Sequence, residues 1–253
     1  MPLTAFAAFL TLAAQANPPA QDRSGEPALR QIMTWAKALD NVHFVIETEA
    51  RDTGHDPMYP GERVDVWISG SKFRIEHSNY WGYDSYVVSD GSTVLSDSES
   101  ESDPALLANA KEGLLATYAD LKMSLDDISP FFALMEGPSK LDSLVEKTAA
   151  IKLEPGRGDE KVLSFEHKKL GTERLYYHQS NGSVQLDMLE YDNLPATQEQ
   201  YKSNSEWMDP PDPGMLTRNT FYFDNHKPSP SLFDTKPPKG RQFNDIRKPP
   251  KKT

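Results

Sequence analysis

Runs that alternate apolar and polar residues, joined by turns too short for anything but a hairpin, constrain this chain most. In "YVVSDGSTVLSD" (86–97) two such runs meet at Asp90-Gly91, and in "RVDVWISGSKFRIEH" (63–77) they meet at Ser69-Gly70-Ser71. "VHFVIETEARD" (42–52) carries the same period, with Phe44 and Ile46 on one side and Glu47, Glu49 and Arg51 on the other. Successive strand side chains point to opposite faces, and Asp-Gly tolerates the positive φ a tight hairpin needs. Strands joined this way must run antiparallel.

Later stretches repeat the signal: "AIKLEP", "KVLSFEHKK", "ERLYYHQ", "SVQLDMLEY" and "TRNTFYFDN", the third and fourth joined at Asn181-Gly182. Helical spacing interrupts them. Residues 27–40 open on Pro27 and place Leu29, Ile32, Ala36 and Leu39 on one face. The middle of the chain predicts a helix over 104–121, after Asp103-Pro104, and two short ones within 130–147: the first follows Ser129-Pro130 and stops at Gly137, and Ser139 opens the second. Residues 192–218 are polar and hold four prolines, which reads as an insertion or flap. No repeat or linker divides the remainder, so residues 17–240 are expected to form one α+β domain, followed by a basic tail, 241–253.

Composition narrows the function. A net charge of −11 repels phosphate backbones, so no nucleic-acid partner is expected. "LTAFAAFLTLAA" followed by Ala14-Gln15-Ala16 reads as a signal peptide over 1–16, although its first residues lack Lys and Arg. The chain contains no cysteine, which excludes disulfides, thiol catalysis and Cys-ligated metals. The six histidines are scattered without metal-ligand spacing, and there is no GxSxG, GxGxxG or Walker pattern. "SDSESESD" (96–103) lacks the alternation and glycine of a calcium loop and reads as a solvated connection. No catalytic residue, metal or cofactor is therefore assigned, and an enzyme is not expected.

What remains is an apolar stripe shared by many strands: Phe44, Ile46, Val64, Val66, Phe73, Ile75, Tyr86, Val88, Phe165, Leu175, Tyr177, Leu186, Met188, Phe221 and Phe223. It is either an ordinary sheet core packed on helices or the lining of an apolar cavity inside a curled sheet.

Four stretches in order resemble the outer-membrane lipoprotein carrier family (LolA/LolB-like). They are the signal peptide, helix and "VHFVIETEA"; "VDVWISGSKFRIEH"; "YVVSDGSTVLSD"; and "SLFDTKPPKG" (231–240). The resemblance implies a strongly curved antiparallel sheet forming an incomplete β-barrel with a helical lid. It implies that the stripe lines a ligand cavity, with Leu107, Leu114, Phe131, Phe132, Leu134 and Met135 on the lid. By the same analogy Phe233 lies on a terminal strand that Pro237-Pro238 bring to an end. The classical carriers keep an arginine and a proline in the turn that here is Ser69-Gly70-Ser71, so the likeness does not reach that latch. The function implied is a soluble, monomeric, periplasmic or otherwise exported carrier or chaperone. Its cargo would be lipid or acylated lipoprotein, exchanged with a membrane-associated donor or acceptor. The alternative is a non-transporting envelope sensor or binding module of the same fold.

Overall fold

The computed structural model describes residues 22–52, 59–78, 84–98, 104–123, 129–167, 171–180, 183–193, 215–224 and 226–247. The predicted signal peptide, the Asn181-Gly182 turn, residues 99–103 of the acidic run and residues 194–214 lie outside them. Helix α1 (Glu26–Lys37) leads into strands β1 (Val42–Asp52), β2 (Tyr59–Ser69), β3 (Lys72–Ser78), β4 (Asp84–Ser89), β5 (Thr93–Ser98) and β6 (Ala105–Asn109). Helices α2 (Gly113–Asp120), α3 (Phe131–Met135) and α4 (Leu141–Lys147) follow. Strands β7 (Thr148–Pro155), β8 (Glu160–His167), β9 (Gly171–Ser180), β10 (Ser183–Asn193) and β11 (Met215–Asp224) complete the main series, and β12 (Phe243–Asp245) lies near the end.

All twelve strands form one sheet in the order β12-β6-β5-β4-β3-β2-β1-β11-β10-β9-β8-β7. Two meanders, β1 to β6 and β7 to β11, are joined by the antiparallel β1–β11 pair, in which Phe44 faces Phe223 and Ile46 faces Phe221. The only parallel pair among the described strands is β12 on β6. The sheet does not close, and with the helices it makes the expected incomplete barrel.

This strand order dictates where the helices go. β6 and β7 lie in opposite halves of the sheet, so the chain between them must cross one face, and it carries α2, α3 and α4 there. That inner face holds the main core, in which α1 contributes Leu29, Ile32, Met33 and Ala36, α2 Leu114 and Tyr118, and α3 four of its five residues. A second crossing runs over the outer face. From the central β11 the chain returns to pair beside β6, and Phe233 plugs a separate cluster of Val88, Leu95, Ala105 and Leu107.

Bulges and edges follow from local chemistry. Between Glu47 and Glu49 the β1–β2 register shifts, and a Cβ on Gly61 there would lie 1.8 Å from the Thr48 carbonyl oxygen. Only glycine fits that approach. Edge strand β7 is shielded where Ile151 N–H donates to the Asp22 carbonyl (2.8 Å) and Gly25 N–H donates to the Ile151 carbonyl (2.9 Å). The Ser69-Gly70-Ser71 turn is held by Asp40, whose Oδ1 accepts from Gly70 N–H at 2.6 Å.

The outer face carries charge across many strands. Glu190 sits between Arg174 (3.3 Å) and Arg218 (3.0 Å), Arg63 bridges Glu47 (3.2 Å) and Asp65 (2.7 Å), and Arg241 holds Asp97 at 2.9 Å. Charges at such density are costly on a hydrocarbon-facing barrel wall, so this face is built for water. No helix of the described residues is long and apolar enough to cross a membrane.

Several expectations are corrected here. Residues 104–121 are not one helix: 105–109 form β6, and Leu107 lies on the outer face rather than on a lid. The stop expected at Gly137 is present, at φ +83° between α3 and a 3-10 turn at Pro138–Lys140 that leads into α4. Phe233 is not on a strand but in a 3-10 turn, Pro230–Phe233. The polar 192–218 segment is shorter than expected, since β10 reaches Asn193 and β11 begins at Met215, where the two pair. Nor is 241–253 wholly a solvated tail, because Arg241 is bound and 243–245 form β12.

Candidate functional site

The inner face is where the chain gathers its apolar side chains, and α3 is its centre. Phe131 is fully buried, with ring centroids 4.9 Å from Phe221, 5.5 Å from Phe44 and 6.3 Å from Trp35. Trp35 in turn meets Phe223 edge-on at 5.1 Å. Such tilted and edge-to-face pairs add to the area each ring removes from water. Phe132, Leu134 and Met135 complete a five-residue helix that is almost wholly embedded.

Most of the predicted lining residues come together as expected. Phe44, Ile46, Val64, Val66, Phe73, Ile75, Phe165, Leu175, Tyr177, Leu186 and Phe221 all lie in the inner core, with Phe223 packed against it. Three do not. Tyr86 and Val88 belong to the outer cluster under Phe233, and the inward residue of that strand is Val87. Met188 falls outside both clusters, because a register shift between Leu186 and Met188 restores the inward face at Leu189. Of the lid residues, Leu114, Phe131, Phe132, Leu134 and Met135 lie over the inner face.

The expected open cavity is also corrected: side chains of α1 and α3 occupy this space. The described cleft of about 700 Å³ is on the outer side, lined by residues that include Asp65, Glu76, Tyr86, Asp97 and Arg241. Its floor is the cross-strand row Asp65, Glu76, Tyr86 and Asp97.

A polar pin, which period and hydrophobicity gave no means of finding, ties α3 to the sheet. Thr48 on β1 stands opposite Asn219 on β11, and its hydroxyl donates to Asn219 Oδ1 at 2.8 Å. Asn219 Nδ2 donates to Ser129 Oγ at 3.1 Å, and Ser129 Oγ also accepts from Phe131 N–H at 3.3 Å. Asn219 and Ser129 are each 1% exposed. Beyond Asn219 the inner face turns polar, with Thr217 opposite Tyr191, whose phenol burial pushes above its ordinary pKa and keeps neutral. Among the described residues no group of histidines and carboxylates has the geometry to hold a metal.

No family model and no curated protein matches the chain. Among solved structures, a LolA superfamily protein from Nitrosomonas europaea aligns over 83% of this chain and 96% of its own, at 9% identity and a TM-score of 0.31. The ywiB protein of Bacillus subtilis aligns over 71% of this chain and 89% of its own, at 6% identity and a TM-score of 0.16. The first is a distant likeness at the level of fold.

Proposed function

We propose that this chain binds a lipid acyl chain on the inner face of its sheet, in place of α3, as a carrier or chaperone acting outside the cytoplasm. The observation that carries this reading is α3 itself: five residues, four of them large, apolar and buried against phenylalanines of β1 and β11. A helix this short has almost no stability of its own and exists because of what it packs on. It occupies the place that a greasy ligand would take.

The energetics favour exchange. Withdrawing Phe131, Phe132, Leu134 and Met135 costs roughly 6–12 kcal/mol of burial. A ~14-carbon chain entering the same space returns about 11 kcal/mol at ~0.8 kcal/mol per methylene. Near balance, the protein takes up cargo and also lets it go, as a carrier that delivers to a membrane-associated acceptor must. The soluble monomer, the acylated cargo and the exported location belong to the same proposal, as does a binding rather than a catalytic role.

Trp35 supplies the test, since it touches both Phe131 and Phe223. In a variant with Trp67, Trp81 and Trp207 replaced by Phe, titration with a long-chain fatty acyl ester should shift its emission saturably. Emission that stays flat to the solubility limit of the ester rejects acyl binding at this face.

A further inference from the structure

Given the acyl-binding reading, on which this step rests, we infer that the ligand carries an ester or amide carbonyl that replaces Ser129 Oγ on Asn219. A plain hydrocarbon does not meet the needs of the site. Ser129 lies two residues before Phe131 and bonds its N–H, so withdrawing α3 withdraws Ser129 too. Asn219 then keeps Thr48 on its oxygen but loses the partner of its Nδ2. A buried donor without an acceptor carries the full desolvation penalty, whereas a carbonyl oxygen at the same place removes it.

The face is polarised to orient such a molecule. Inward residues along β11 run Phe223, Phe221, Asn219, Thr217, from aromatic to polar. Phe223 and Asn219 are four residues apart, about 14 Å along an extended strand. A hydrocarbon tail therefore lies over the phenylalanines while its carbonyl reaches Asn219, and the polar remainder points toward Thr217 and Tyr191. Thr48 acts as a positioning residue: by donating to Oδ1 it turns the Asn219 amide so that its N–H₂ faces the ligand.

The test compares methyl dodecanoate with dodecane, each displacing anilinonaphthalene sulfonate from the full chain, with Trp35 emission as a second readout. Wild type should prefer the ester by about tenfold. Asn219→Leu should abolish that preference by weakening the ester while leaving the alkane as tight or tighter. Should that variant fail to fold, Thr48→Val, which frees the amide to turn, should reduce the preference several-fold. Equal binding of both ligands by wild type overturns the carbonyl assignment but leaves acyl binding standing. So does a preference that survives in Asn219→Leu or, where only that variant folds, in Thr48→Val. Binding of neither ligand overturns both.

Discussion

Ending the chain after Asp224 is expected to unfold or aggregate it, although every strand of the two meanders would remain. The segment removed fills the outer cluster with Phe233, which is 3% exposed, and supplies Arg241 to Asp97, whose side chain is 7% exposed. Losing a buried phenylalanine costs about 3–5 kcal/mol, and the Arg241–Asp97 ion pair is lost with it. The first term alone is a large share of the ~5–15 kcal/mol that holds a domain of ordinary stability. The truncation also bares Val88, Leu95 and Leu107 to water. Urea unfolding and light scattering read the result, and Phe233→Ala and Arg241→Ala separate the two terms. A truncated chain that does not aggregate and keeps an unchanged midpoint would show that the outer crossing is ornamental.

Phe131→Ala should produce two effects of opposite sign. Removing a fully buried ring from the contacts with Phe44, Phe221 and Phe223 should lower stability by about 3–5 kcal/mol. The same change weakens the competitor for the inner face, so acyl affinity should rise, by about tenfold or more. Phe221→Ala, which damages the floor instead of the plug, should lower both. Unfolding curves with and without a fatty acyl ester distinguish the cases, and loss of affinity in Phe131→Ala would contradict the competition.

Much of this architecture was legible in the sequence, because most strands keep one face apolar and the tight turns between them leave little choice of pairing. The failures have particular causes. Residues 105–109 read as helix because Leu107, Ala110, Leu114, Tyr118 and Leu121 keep helical spacing across two different elements. A five-residue apolar run cannot by itself distinguish strand from helix. Val87 and Val88 are both buried because the chain's return crosses the outer face, so the alternation that identifies an inward residue is lost in β4. Met188 was misplaced by one bulge, which inverts the parity of every residue after it. The Thr48–Asn219–Ser129 pin joins residues 171 and 90 positions apart, and only the β1–β11 register and the path of the crossing helices bring them together.

The central claim is that α3 and an acyl chain compete for one surface, and hydrogen exchange on the full protein measures that competition directly. On saturation with a fatty acyl ester, the amides of residues 131–137 should lose protection while those of β1 and β11 keep or gain it. A bound ester that leaves α3 as protected as before, or more so, would place the ligand elsewhere and contradict the account.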